Sequence, residues 1–148
     1  MSHLRLGLLD RLRNRYLGPR RGVVKYRVQD GVELRCFWKV LEVGRGPGAA
    51  LYILDKEILR FDCFGLGGHY HVHPWEDEPG KVSRRAFDRQ TTEAQIESAV
   101  KELSMNLSGY LTESSDANIR SFKVDAEALA KAALWMKARL TIRGRSRD

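Results

Sequence analysis

Three histidines occupy alternate positions of HYHVHPW, residues 69–75, shortly after the basic and acidic pair of RFD at 60–62. Residues two apart on a strand share one face and lie ~6.6–7 Å apart along it. If residues 57–64 and 69–75 pair as a hairpin closed by 65–68, then Asp62 faces His71, Arg60 faces His73 and Phe64 faces His69. Leu59, Phe61, Cys63, Tyr70, Val72 and Pro74 then take the other, apolar face. A one-residue slip would exchange the faces, so the apolar side fixes their parity. A carboxylate on one imidazole nitrogen orients the ring and leaves the other nitrogen to exchange a proton near neutral pH. In that chemistry His71 is the base, His69 or His73 the acid and Asp62 the orienter of a metal-free cleavage of RNA. Arg60 would grip the phosphate with two parallel bonds. The same face also offers His69, His71 and Asp62 as ligands to Zn²⁺ at ~2.0–2.1 Å, with water in the fourth position. No other cofactor is indicated. The plainer alternative is that these side chains form the solvent-facing side of a half-buried antiparallel sheet.

The segments around this hairpin read as strands and then helices. Val24, Tyr26 and Val28 alternate with charged residues, Asp30-Gly31 is a strong hairpin signal, and Val32, Leu34, Cys36 and Trp38 resume the alternation. GRGPG at 44–48 reads as a connection into the strand 50–54, because a phosphate-cradling loop needs a helix directly behind it. Asp55-Lys56 and GLGG at 65–68 supply the next turns, and Pro74 ends the sheet. Thr92 with Gln95 has the spacing of a capping box, opening a helix to about residue 112 along Ile96, Val100, Leu103 and Leu107. Asp125 caps a second helix striped by Leu129, Ala132, Ala133, Met136 and Leu140. Leu4, Leu8, Leu9, Leu12 and Tyr16 make a short amphipathic N-terminal helix. The expected architecture is therefore α+β: an antiparallel meander of about five strands, packed by two C-terminal helices, with that N-terminal helix ahead of it.

At 148 residues the chain is sized for a single domain, 1–148, with a basic helix over 1–20 and a basic flexible tail over 141–148. No stretch approaches the ~18–20 apolar residues of a membrane span. Cys36 and Cys63 are the only cysteines and have no CxxC spacing, which fits a reducing, cytoplasmic setting and thiols used as small apolar side chains. The net charge of +7 is unevenly placed: residues 1–27 hold eight Arg or Lys against Asp10, and residues 137–148 hold five against Asp148. Arg20 and Arg21 lie at the inner end of the first block. Such basic ends attract phosphates without reading bases, and that attraction falls steeply with salt.

The block ILRFDCFGLGGHYHV, residues 58–72, resembles the signature segment of a bacterial family of domains of unknown function, over about Lys25–Leu111. More distantly, a strand, an RFD-type segment, a histidine-rich stretch and a helix in that order resemble the TumE-like toxins. The first resemblance implies that RFDCF and GGHYHV belong together; the second implies a toxin's ribonuclease-like activity. The leading expectation is binding of a phosphate-bearing ligand such as RNA through Arg60, Trp75, Arg20, Arg21 and the histidines. A homodimer or partner interface on the sheet face is the third reading, favoured by Phe64 and Trp75 there.

Overall fold

The computed structural model of the chain describes residues 20–78 and 84–146. Six strands follow one another in space as they do in sequence, all antiparallel: β1 Arg20–Gln29, β2 Val32–Leu41, β3 Gly44–Ile53, β4 Lys56–Asp62, β5 His69–Val72 and the two-residue β6 Arg85–Ala86. Four helices follow: α1 Thr92–Met105, α2 Leu107–Thr112, α3 Ala117–Arg120 and α4 Ala126–Ser146. This is the α+β meander packed by C-terminal helices; the expected N-terminal helix lies outside the described residues. Helix α4 continues past residue 141, where the tail was expected to begin. No helix among the described residues is long and apolar enough to cross a membrane.

Alternation makes the core. Leu34 and Cys36 of β2, Ala49 and Leu51 of β3, and Leu59 and Phe61 of β4 are fully buried. They pack in one cluster with Ile96, Ala99 and Leu103 of α1 and Ala132, Met136 and Leu140 of α4. Each such aliphatic or aromatic side chain contributes about 1.5–3 kcal/mol on full burial, so this face fixes the sheet's orientation. Burial pushes the Cys36 thiol up to about 12, and raises that of Cys63, so both stay protonated as small apolar groups.

Two local readings are corrected. The cap of α1 is Thr91, whose hydroxyl accepts from the Ala94 N–H, so Thr92 and Gln95 do not form a capping box. Asp125 does cap α4, accepting from the Ala128 N–H at 2.8 Å. GRGPG is not a connection but the first half of β3, paired along its length with β2 from Leu41↔Gly44 to Phe37↔Gly48. Its alternate residues Gly44, Gly46 and Gly48 point to the face away from the core. A Cβ at Gly48 would stand 2.6 Å from the Phe37 ring, so the neighbouring strand's side chain lies where a larger residue would project.

Candidate functional site

The register of β4 against β5 decides which groups meet. Asp62 pairs with His69, Phe61 with Tyr70, Arg60 with His71 and Leu59 with Val72. That is two residues away from the expected pairing. An even shift preserves the faces, so Arg60, Asp62, His69 and His71 share one side as expected, but Asp62 now opposes His69 rather than His71. The cause is the β4–β5 connection, which takes six residues instead of four. Gly65 and Gly67 adopt φ of 75° and 84°, and Gly68 N–H closes the turn on Gly65 O at 2.9 Å. Gln95, fully buried on α1, then clamps the loop. Its Oε1 accepts from Gly65 N–H at 2.9 Å, and its Nε2 donates to Gly65 O at 2.7 Å and Arg89 O at 2.9 Å.

His73 leaves the cluster. It follows the strand in the left-handed conformation, φ 51°, and its Nε2 lies 2.6 Å from the Tyr110 carbonyl. The expectation that it faces Arg60 is therefore wrong, because Pro74 starts a 3-10 turn at Pro74–Glu76 that ends the ladder at Val72. Trp75 lies in that turn, against the core cluster and under Lys56, whose Nζ is 4.7 Å from its ring centroid. It is not beside the histidines. Arg21 is exposed, and its backbone carbonyl accepts from the Arg143 guanidinium at 3.4 Å.

The histidine face is not open to solvent. Arg60, Asp62 and His71 are at most 1% exposed and His69 is 6% exposed. The reason lies in two elements the sequence reading did not connect. On this face β3 presents only Gly44, Gly46, Gly48 and Ala50 before Tyr52, leaving a trough between the side chains of β2 and β4. Lys39 of β2 lies across it, fully buried, with Nζ 3.5 Å from Asp62 Oδ2. Arg20 crosses from β1, its guanidinium 4.7 Å from the Phe37 ring centroid. It donates to Tyr52 Oη at 2.7 Å and to both Glu57 oxygens at 2.9 and 3.1 Å. A reach from the first strand to the fourth requires a coiled sheet, and it covers the polar face with its own side chains.

One carboxylate oxygen is the focus of this network. Asp62 Oδ2 has His69 Nε2 at 3.1 Å, Lys39 Nζ at 3.5 Å, Arg60 Nε at 3.6 Å and His71 Nε2 at 3.9 Å. Asp62 Oδ1 and Arg60 Nε have no hydrogen-bond partner in the structure. Arg60 Nη1 donates to Glu57 Oε1 at 3.3 Å. Burial would raise the Asp62 carboxyl, but the hydrogen bond from His69 and the charges of Lys39 and Arg60 outweigh it and hold the group ionised well below the usual range. Lys39 is lowered to about 8 by burial and by the nearby Arg60 and Arg20, against the pull of Asp62 and Glu57. Burial would likewise lower Arg20, but Glu57 outweighs it and holds the guanidinium charged.

The histidine rings stand edge to face, 4.8 Å apart at 89°, and Phe64 meets His69 edge-on at 5.9 Å. Gly67 O accepts from His69 Nδ1 at 2.9 Å, so the loop that Gln95 clamps also sets the ring's orientation. Asp62, His69 and His71 each place a ligand atom within 4.8 Å of the other two, the spacing of a possible metal site. Of the residues singled out by sequence, the fold gathers Arg60, Asp62, His69, His71 and Arg20, and leaves out His73, Trp75 and Arg21. It adds Lys39, Glu57 and Tyr52. The parity of Lys39 was readable, since it shares a face with Phe37, but Glu57 would alternate onto the face of Leu59 and Phe61 and reaches the polar face through the register shift where Tyr52 pairs with Glu57.

Fold and cluster together define an α+β domain with a buried, charged Asp–His–His centre on the polar face of a meander sheet. The chain belongs to the family described as a domain of unknown function, DUF7700, whose model matches residues 23–139. No curated protein and no solved structure matches the chain.

Proposed function

We propose that this domain binds a ligand through its phosphate group, at the cluster around Asp62. One observation carries the reading: donors outnumber acceptors inside it. The three cations Arg20, Lys39 and Arg60 are paired with two carboxylates, Glu57 and Asp62, and four nitrogen atoms crowd Asp62 Oδ2 at 3.1 to 3.9 Å. A buried surplus of positive charge is costly unless an anion offsets it, and a phosphate brings several acceptor oxygens at once. Because these groups are buried, the ligand reaches them only as the face opens. A terminal phosphate therefore fits better than the interior of an RNA chain. Cleavage of the kind suggested by the resemblance to TumE-like toxins would retain His71, His69 and Asp62 and would have to proceed without His73. The Asp–His–His face also has the donor set of a zinc-class ion, and such an ion would deepen the need for an anion.

The test is thermal unfolding of the full chain with inorganic phosphate, a nucleoside 5′-monophosphate, and short RNAs carrying a 5′-phosphate or a 5′-hydroxyl, at matched ionic strength. A ligand at a hundred times its Kd contributes about 2.7 kcal/mol, or roughly 5–10 °C for a chain of this size. The phosphorylated ligands should raise Tm, and Lys39→Met should remove the rise. Equal stabilisation by both RNAs, or none by any ligand, refutes the proposal.

A further inference from the structure

We infer that Asp62, His69 and His71 form a divalent metal site of the zinc class, with its open position facing Lys39 and Arg60. The inference deepens the phosphate reading, on which only its last step rests. Two imidazole nitrogens and one carboxylate oxygen are the donor set that borderline-soft ions such as Zn²⁺ take, and three protein ligands leave a fourth position for a ligand or water. The ligand atoms are His69 Nε2, His71 Nε2 and Asp62 Oδ2. Asp62 Oδ2 lies 3.1 and 3.9 Å from the two nitrogens and all three ligand atoms lie within 4.8 Å of one another, so they surround a common point. Zinc at ~2.0–2.1 Å in tetrahedral geometry holds its ligand atoms about 3.3–3.4 Å apart, so binding draws the two imidazoles together by up to about 1.5 Å through side-chain rotation.

Further features support a ligand role. Gly67 O accepts from His69 Nδ1–H at 2.9 Å, which fixes the ring plane and turns Nε2 toward Asp62, the arrangement usual for metal-bound histidine; a bound ion would replace the proton that Nε2 shares with Asp62 Oδ2. The carbonyl is placed by a loop that Gln95 ties to α1 at Gly65 and Arg89. Asp62 keeps acceptor capacity for an ion: Lys39 and Arg60 approach Oδ2 at 3.5 and 3.6 Å, beyond the ~2.7–2.9 Å of a strong charge-assisted bond, and Oδ1 has no hydrogen-bond partner. The cations lie beside the cluster across the glycine-floored trough. There they can hold the other oxygens of a phosphate whose first oxygen takes the open position.

The experiment uses the chelator-stripped full chain. Zinc titrated by calorimetry should bind at one ion per chain and raise Tm. In His71→Gln the affinity should fall by at least the roughly tenfold that loss of even an outer partner costs. Cobalt(II) on the wild-type chain decides the matter without a variant. An intense four-coordinate visible spectrum supports the site, and the weak spectrum of the six-coordinate ion overturns it, as does zinc binding that is absent or is unchanged in both His69→Gln and His71→Gln. Phosphate added to the cobalt form should shift the bands. Bands that do not move leave the ion site standing and remove the phosphate reading alone.

Discussion

Asp62→Asn and Lys39→Met probe the charge balance from opposite sides, and the surplus-cation account gives them unequal effects. Asp62→Asn keeps the side chain's shape but removes the carboxylate that Lys39 Nζ approaches at 3.5 Å and Arg60 Nε at 3.6 Å, in a position with no solvent exposure. Removing one partner from a buried ionic network costs about 3–5 kcal/mol, because the remaining cations then share Glu57 alone, away from water. At roughly 2–4 °C per kcal/mol for a chain of this size, Tm should fall by about 6–20 °C. Lys39→Met removes one cation of the surplus and fills its place with an apolar chain, while Asp62 keeps His69 at 3.1 Å and Arg60. That variant should stay within about 1 kcal/mol of wild type. Urea unfolding in phosphate-free buffer measures both, with the slope checked to confirm that the denatured state is unchanged. If Lys39→Met destabilises as much as Asp62→Asn, the network is balanced rather than cationic, and the argument for an anionic ligand fails.

Three other perturbations test the frame around the cluster. Gly48→Ala puts a methyl 2.6 Å from the Phe37 ring and 3.0 Å from Phe61 O, and should cost about 1–3 kcal/mol in urea unfolding; a neutral result would mean the trough floor is loose. Gln95→Ala strips partners from the Gly65 N–H and C=O and should cost about 1–3 kcal/mol, with faster amide exchange at Gly65; unchanged exchange would show that the loop holds itself. Burial would raise the Glu76 carboxyl, but bonds from the Ser115 and Ser114 hydroxyls and the Ser115 N–H, each 2.8 Å, hold it below its ordinary 4.5. Its stabilisation is thus complete above that value and lost as pH falls through the lower folded one, so Glu76→Gln should flatten that part of the stability profile measured by acid titration.

The sequence was informative where the signals are local. Asp30-Gly31 placed the first hairpin, with Gln29 pairing with Val32 as a two-residue turn requires. The apolar alternation of Leu59, Phe61, Tyr70 and Val72 fixed which side Arg60, Asp62, His69 and His71 share. Parity cannot distinguish a four-residue loop from a six-residue one, and the choice between them rests on Gln95, thirty residues away in sequence from the Gly65 it binds. The same spacing that suggested a capping box at Thr92 and Gln95 concealed that role. Alternate polar residues on a strand ordinarily mean solvent, and the histidine face departs from that rule. It is buried because GRGPG keeps β3 bare and lets Lys39 and Arg20 reach across strands, a consequence of pairing between β2, β3 and β4 that no single segment contains.

The central claim concerns Arg60, whose Nε–H is buried with Asp62 Oδ2 3.6 Å away and no hydrogen bond. Its nitrogen-15 resonance, followed while inorganic phosphate is titrated into the full-length protein, reports whether an anion takes that donor. A saturable downfield shift of the Arg60 Nε–H, absent on adding chloride at equal ionic strength, is the predicted result. A resonance that stays in place while the exposed arginines Arg21 and Arg27 shift would put the anion on the surface and contradict the account.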